Sequence, residues 1–294
     1  MTHRPAPPRV AIIGAGRAGR ALALALTRAT VPVTVCVRRP TDLPAPISCS
    51  MDPWTEALAA AEVILLAVPD DAITAVAARI REAPLARTTV LHCSGLRDRS
   101  ALAPLQDAAA GLGSFHPLQT LAGDREAAER LRAAYAVLEG DPTALAMGRR
   151  LAQVLGMEAI ELEAASKPAY HAAAVIASNY SVTLADVAAA VARAAGVPPE
   201  AAARIFLPLM AGTVTNLLDF GPTGALTGPI RRGDVGTVQA HLRALDPDDR
   251  QLYVLLGLRT IRVARAAGLS QATADALERV LLEAWSGGLA PTAR

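Results

Sequence analysis

The sequence predicts an α/β protein in two parts, an N-terminal domain with a parallel sheet covered by helices and an all-helical C-terminal domain. Up to residue 163, short apolar and β-branched runs alternate with helical stretches, which is the pattern of a parallel sheet with helices on both faces. From Ser166 onward no convincing strand remains, and segments rich in glycine, proline and aspartate separate successive helices. We therefore place the domain boundary near residues 162–165, with domains at 1–163 and 164–294.

Seven segments are predicted as strands because each is too short for a helix and is bounded by glycine, proline or polar residues. They are residues 9–13, 31–39, 61–68, 88–95, 111–117, 134–141 and 157–163. Helices are predicted among them at 18–29, 70–81 and 143–155, and beyond the boundary at 166–195, 199–219, 232–246, 248–267 and 270–288.

Composition excludes several functional classes. The net charge is +2 with scattered basic residues, which gives no electrostatic case for nucleic acid or an anionic membrane. No uninterrupted apolar run approaches the length of a membrane span, so we expect none. The three cysteines are odd in number and lack metal-ligand spacing, which argues for a reducing compartment and against a zinc site. We expect a cytoplasmic protein without a bound metal.

The motif GAGRAG follows the first predicted strand and opens the first predicted helix, which is the context that makes G-x-G-x-x-G a dinucleotide-binding signal. Gly14 permits a tight turn, Gly16 lets the backbone approach a pyrophosphate, and Gly19 lets the helix pack against the strand. The helix N-terminus then offers free N–H groups to the anion. A Rossmann cofactor site is predicted from Gly14, Ala15, Gly16, Arg17, Ala18 and Gly19.

The end of the second predicted strand selects the cofactor. Arg38 and Arg39 stand where NAD enzymes carry an acidic residue. Guanidinium groups bind a 2′-phosphate through paired hydrogen bonds, so we predict NADP; the alternative is that both arginines are solvated surface residues. Ala67, Val68 and Pro69 end another strand and are expected to line the same crevice, although Pro69 could simply stop that strand.

Lys167 is the only lysine, since the other 28 of the 29 basic residues are arginine. Ser166 is a plausible helix N-cap and Pro168 suits the first turn. The helix dipole and partial burial would both lower the pKa of this lysine toward neutrality, where proton donation during hydride transfer is efficient. We therefore expect its amine to face the cofactor crevice as an acid or charge stabiliser.

Helical geometry suggests partners for this lysine. At roughly 100° per residue, His171 lies roughly 40° and Ser178 roughly 20° from Lys167 around the helix axis, with Asn179 roughly 120° away. The alanines between them leave room for a ligand. Lys167, His171 and Asn179 are the predicted catalytic residues, and the alternative is an exposed polar stripe on a surface helix.

Substrate contacts are predicted from four residues elsewhere. They are Ser94, His116, Ser178 and Asp234. His116 is surrounded by hydrogen-bonding residues, whereas His92 is a lone histidine that is more often packed than functional. In the segment TGPIRRGD, either Asp234 caps a helix or the loop contacts substrate through Arg231 or Arg232, and the sequence leaves both open.

The motifs together resemble a known family. GAGRAG, AVPDDAI, HCSG, GSFHPLQT, KPAYHAAAVIASNY and LTGPIRRGD are similar to the Rossmann-like proteins with a helical C-terminal domain of unknown function. That family is related to ketopantoate reductases, pyrroline-5-carboxylate reductases and 6-phosphogluconate-type dehydrogenases. The resemblance implies an NADP-linked reductase of a small molecule and a homodimer built through the helical domain. Ketopantoate reductases and 6-phosphogluconate-type enzymes have a lysine on the first helix after the Rossmann domain and an asparagine four residues on. Lys167 matches that lysine, but His171 stands at the asparagine position.

Three functions therefore remain open from the sequence. The first is reduction of a small 2-oxo acid or related carbonyl, with ketopantoate as a candidate substrate. The second is reduction of an imine of the pyrroline-5-carboxylate type. The third is a non-catalytic NADP-binding sensor or partner protein, because a fold does not fix a function.

Overall fold

The computed structural model describes residues 6–121 and 125–285, and the chain divides into two compact units, Met1–Ser178 and Asn179–Arg294. The predicted α/β class, with an N-terminal sheet domain and a helical C-terminal domain, is confirmed. The domain boundary that we predicted from the sequence, near residues 162–165, comes directly after the last strand. The compact units divide later, because the helix that begins at Lys167 is anchored in the first unit by this buried lysine.

The first unit contains one eight-stranded sheet in the order β3-β2-β1-β4-β5-β6-β7-β8. The strands are β1 Val10–Ile13, β2 Val33–Val37, β3 Ser48–Met51, β4 Val63–Leu66, β5 Thr89–His92, β6 Gly111–Leu118, β7 Tyr135–Gly140 and β8 Glu158–Glu161. All neighbouring strands are parallel except β6 and β7. The sequence reasoning missed this antiparallel pair because it assumed a crossover helix after every strand. It also missed β3, a largely exposed edge strand without an apolar run.

Helices cover the sheet on both faces. In the first unit they are α1 Arg17–Arg28, α2 Thr55–Ala60, α3 Ile73–Ile80, α4 Arg125–Arg130, α5 Pro142–Leu155 and α6 Lys167–Ala177. Alternate residues of β1 point to opposite cores: Val10 and Ile12 pack in one buried cluster, Ala11 and Ile13 in the other. Burial on both faces explains why these strands are continuously apolar. Because the strands β1, β2, β4 and β5 run parallel, their carboxyl ends meet at one edge of the sheet.

Helix boundaries follow local capping chemistry. The carboxylate of Asp141 accepts a hydrogen bond from the Ala144 N–H at the start of α5, and Pro142 occupies the first turn. The same helix ends at Gly156, whose φ of 70° places it in the left-handed region.

The described part of the second unit is helical. Its helices are α7 Asn179–Ala194, α8 Pro199–Ala202, α9 Leu207–Ala225, α10 Gly228–Arg232, α11 Val235–Ala244, α12 Pro247–Ala266 and α13 Gln271–Trp285. The core lies among α10 to α13 and includes Val238, Leu242 and Leu277. Two predicted helices are interrupted. The segment 166–195 breaks at Ser178, and the segment 199–219 is divided into α8 and α9, of which α9 continues past 219 with a non-helical residue at Gly221.

Helix α9 has no buried residue. The stretches Ala164–Ala194 and Pro199–Arg232 are long and apolar enough to cross a membrane by length and composition. In each, an 18-residue segment has a mean hydropathy of 1.4, and only 6% of that segment is buried. The sequence analysis did not find them because it looked for uninterrupted apolar runs, whereas polar residues and prolines are scattered through both stretches.

Candidate active site

A cavity of about 870 Å³ opens at the carboxyl ends of β1, β2 and β4, the edge where open α/β sheets bind nucleotides. Most of the predicted cofactor residues line it. These are Gly14, Ala15, Gly16, Arg38, Arg39, Ala67, Val68 and Pro69. Arg17, Ala18 and Gly19 lie in the first turn of α1 instead. A cavity of this size suits a dinucleotide or a large part of one.

The three glycines of the loop differ in the way that a phosphate-binding turn requires. Gly14 has a φ of 109°, and a Cβ there would lie 2.4 Å from the Ala67 carbonyl oxygen. A Cβ on Gly19 would lie 2.0 Å from the Gly14 oxygen, whereas a Cβ on Gly16 would meet nothing within 4 Å. The N-cap of α1 is Gly16, no side chain caps the helix, and its first turn has no acidic residue. The terminal N–H groups therefore face open space suited to a pyrophosphate.

A cluster of two imidazoles and a phenol lies beyond the end of β5, the strand next to β4. His116 Nδ1 and the Tyr170 hydroxyl are 2.7 Å apart, and the His116 and His171 ring centroids are 6.2 Å apart. Gly95 makes room for both imidazoles: a Cβ there would lie 2.7 Å from His171 Nδ1 and 3.0 Å from His116 Nε2. The structure thus brings together the predicted residues His116 and His171.

Burial keeps the His116–Tyr170 pair uncharged. It lowers the pKa of His116 to about 4, and the neighbouring Lys167 and His171 lower it further. Burial also raises the pKa of Tyr170 to about 12. Near neutral pH, a neutral imidazole therefore shares a hydrogen bond with a protonated phenol. His171 Nδ1 is buried and has no hydrogen-bond partner in the described part of the chain, which leaves it available to a bound molecule.

Lys167 does not lie where the sequence analysis placed it. The side chain is 0% exposed, and Nζ donates to Ser114 Oγ at 2.7 Å and to the Ser94 carbonyl oxygen at 3.2 Å. Burial lowers its pKa as expected, with Glu139 opposing this most strongly. The prediction that the amine faces the cofactor crevice is therefore wrong in this structure, because the long side chain extends from α6 to Ser94, just beyond β5, and to Ser114, within β6.

Glu139 is the acidic counterpart of this buried lysine. It is 4% exposed, and its carboxylate accepts from the Arg99 N–H at 2.9 Å and from Ser114 Oγ at 3.5 Å. Burial raises the pKa of Glu139, while the charge of Lys167 lowers it. Ser114 thus bridges the lysine on α6 and the carboxylate on β7.

Ser94 and His92 fix the loop that carries Gly95. Ser94 Oγ donates to Asp70 Oδ2 at 2.7 Å and accepts from the Leu96 and Arg97 N–H groups. Its hydroxyl is fully used and 6% of the residue is exposed, so the prediction that Ser94 contacts substrate is corrected. His92 Nε2 lies 3.0 Å from the Asp98 carbonyl oxygen, and Nδ1 accepts from the Ser94 N–H. Burial lowers the pKa of His92 to about 4, which fits the packed histidine that the sequence favoured.

The three remaining predicted residues lie at the ends of helices. Ser178 ends α6, and Asn179 begins α7 in the second unit, so the helical projection from Lys167 does not extend to Asn179. Asp234 caps α11 by accepting from the Thr237 N–H at 3.0 Å and the Thr237 hydroxyl at 2.6 Å. Of the two alternatives for its loop, helix capping is the one observed, and the prediction of Asp234 as a substrate ligand is corrected.

The sequence reasoning did not identify Gly95 or Tyr170 as site residues. Both lie directly beside residues that it did select, Gly95 after Ser94 and Tyr170 before His171. Within residues 6–121 and 125–285, no three histidine, cysteine or acidic side chains are grouped as metal ligands.

Two family models match separate parts of the chain, and the second match extends across the division at Ser178. A profile described as NADP oxidoreductase, coenzyme F420-dependent, matches residues 9–94. A second, described as Domain of unknown function (DUF2520), matches residues 134–260. No curated protein matches the chain in sequence.

Three solved structures illustrate the shared fold. A candidate NADP oxidoreductase from Bacteroides fragilis is 23% identical with a TM-score of 0.68, over 87% of this chain and 98% of that one. A protein from Thermotoga maritima has the same identity and coverages and a TM-score of 0.66. A pyrroline carboxylate reductase from Plasmodium falciparum, solved with NADP bound, is 12% identical with a TM-score of 0.56, over 96% and 98%.

These matches confirm the resemblance drawn from the sequence motifs, although identities this low show the fold alone. The chain is thus similar to the coenzyme F420-dependent NADP oxidoreductases over residues 9–94 and to the DUF2520 family over residues 134–260.

Proposed function

We propose that this protein is an NADPH-dependent reductase of a small carbonyl or imine compound. The observation that carries the proposal is the position of the His116–Tyr170–His171 cluster on the sheet. The cluster lies at the end of β5, and the glycine-loop cavity lies at the end of the neighbouring strand β4. The hydrogen bond between Ser94 and Asp70 connects the two strand ends.

The residues of the cavity fit NADP. Gly16 leaves space for the pyrophosphate, and Arg38 and Arg39 lie at the end of β2, where they can bind a 2′-phosphate. Bound NADPH would supply the hydride. A titration with NADPH and NADH tests this assignment, and equal affinity for both would remove the argument from the two arginines.

The cluster supplies the proton that reduction of a C=O or C=N bond requires. As a C–H bond forms at the substrate carbon, the π electrons of the double bond move to the heteroatom, which then takes a proton. The hydroxyl of the half-buried Tyr170, paired with neutral His116, is the donor in this proposal. His171 Nδ1, which lacks a partner, orients the substrate. Lys167 acts through its neighbours, because it holds Ser94, just beyond the end of β5, and Ser114, within β6.

The central experiment measures NADPH oxidation with 2-oxo acids, including ketopantoate, and with cyclic imines of the pyrroline-5-carboxylate type. Coenzyme F420 belongs in the panel because the description of the matching family names it. We expect turnover with one of these classes. Tight NADPH binding without any turnover would instead favour the non-catalytic sensor.

A matched pair of variants tests the proton donor. Tyr170→Phe should lower kcat by about 100-fold, a typical loss for removal of a general acid, with NADPH affinity unchanged. Tyr253→Phe is the control, since the Tyr253 hydroxyl bonds His241 Nδ1 at 2.9 Å in the second unit with the same ring arrangement. Equal kcat in both variants would refute the assignment of Tyr170.

We also propose that the protein is a cytoplasmic homodimer formed through the second unit. Leu218 is 82% exposed and Phe220 is 64% exposed on α9, a surface too apolar for an isolated chain in water. Asn216, Asp219 and the non-helical Gly221 interrupt this stretch, which favours a protein partner over lipid.

Light scattering coupled to size exclusion tests the dimer. Leu218→Glu should produce a monomer, whereas Ile160→Glu, on an exposed position of β8, should leave the dimer intact. If the wild-type protein is monomeric and floats with lipid vesicles, the dimer proposal is refuted, and a membrane surface rather than a second copy covers α9.

A further inference from the structure

The nucleotide cavity also contains a stacked pair of side chains. The Arg79 guanidinium carbon lies 4.6 Å from the centroid of the Trp54 ring, and both residues line the cavity. Ala72, Val76 and Arg79 follow each other at helical spacing on the face of the chain that borders the cavity. Arg79 is therefore held on the cavity wall.

Two further contacts fix the orientation of this pair. Trp54 is 5% exposed, and its Nε1–H donates to the Val37 carbonyl oxygen at 3.0 Å, one residue before Arg38. The carboxylate of Asp52 forms an ion pair with the Arg79 guanidinium. The guanidinium is thus held against an indole on one side and by a carboxylate, while 42% of the Arg79 side chain remains exposed.

We infer that the Arg79 guanidinium, backed by Trp54, is the platform on which the adenine ring of the cofactor stacks. A planar guanidinium stacks on flat aromatic systems through both dispersion and charge. Asp52 already neutralises this cation, which makes it a poor ligand for the 2′-phosphate. Phosphate recognition is left to Arg38 and Arg39. The inference rests on the proposed binding of a dinucleotide. It assigns a residue to the adenine ring, which NADP and NAD share.

The experiment compares three probes on the full-length protein by calorimetry or fluorescence titration. NADPH and NADH both contain adenine, whereas reduced nicotinamide mononucleotide does not. Arg79→Ala should weaken NADPH and NADH by a similar factor of about 10, within the usual range for loss of a stacking partner, and leave the mononucleotide unchanged. Arg79→Lys should remain weak because it restores the charge without the planar group.

Arg81→Ala is the matched control. Arg81 lies two residues further along, donates to the Pro104 carbonyl oxygen at 3.1 Å and does not line the cavity. Its removal should leave all three affinities unchanged. Thermal melting checks that each variant is folded.

The outcomes separate this inference from the proposed function. Wild-type binding of both dinucleotides with no effect of Arg79→Ala would overturn the platform alone. Full recovery in Arg79→Lys, or a loss confined to NADPH, would assign the residue to charge or phosphate binding and also overturn it. Failure of the wild-type protein to bind either dinucleotide would overturn the proposed function and this inference together.

Discussion

Replacing Lys167 with methionine removes a buried positive charge at nearly constant volume. In the wild-type protein the amine donates to Ser114 and to the Ser94 carbonyl, and Ser114 lies between it and Glu139. The variant keeps the apolar stem but leaves these acceptors without a donor. Glu139, 4% exposed, then loses the buried cation nearest to it and keeps only the weaker influence of Arg99.

The expected cost follows from two opposing effects. Losing a charged donor costs about 1.5–3 kcal/mol, and leaving a buried charge without its partner costs about 3–5 kcal/mol. Against this, the variant no longer pays to bury an ammonium group, which recovers several kcal/mol. We expect a net loss of about 3 kcal/mol in the free energy of unfolding, reduced by at least about 1 kcal/mol when Glu139→Gln is added.

Urea unfolding of the wild type, both single variants and the double variant measures this coupling, and NADPH turnover is followed in parallel. Because Lys167 positions Ser94 and Ser114, activity should fall with the loss of structure and recover partly in the double variant. A Lys167→Met protein within about 0.5 kcal/mol of the wild type but without turnover would refute the reasoning. That result would show that Lys167 acts on the substrate directly and does not merely position Ser94 and Ser114.

Three other predictions concern glycines and histidines. Gly16→Ala should fold with normal stability but lose NADPH affinity, whereas Gly19→Ala should melt at lower temperature because its Cβ would meet the Gly14 oxygen; calorimetry with and without NADPH distinguishes them. Gly95→Ala should cost about 1–3 kcal/mol in urea unfolding and abolish turnover, since its Cβ would displace both imidazoles. His92 and His116 have pKa values lowered from 6.5 to about 4, so the unfolded chain binds more protons between these values. Stability should fall as pH drops from 6.5 to 4, seen as a falling Tm, and His116→Gln should weaken that dependence.

Much of the nucleotide site could be read from the sequence because its requirements are local. The glycine spacing, the strand before it and the helix after it lie within one continuous segment, and the structure places Gly14, Gly16 and Gly19 accordingly. The two arginines after β2 also line the cavity, since strand order brings β1 and β2 side by side.

The histidine cluster was less predictable because it depends on side-chain direction. Projection on a helix wheel gives the angle between Lys167 and His171 but not how far each side chain reaches, and the lysine extends into the sheet instead. The projection failed for Asn179 for a different reason, because the helix on which it relied ends at Ser178. Gly95 contributes by lacking a side chain, a role visible only when His116 and His171 are brought to it.

The position of the single lysine also bears on how such chains can exchange parts during evolution. The amine belongs to α6, but its acceptors belong to β5 and β6. Recombination immediately after the last strand would separate the cation from its acceptors. A residue from the other parent would then occupy the buried space beside Glu139. Recombination at Ser178 would carry the whole ionic arrangement with the Rossmann part, so viable chimaeras with other helical partners should have their junction there.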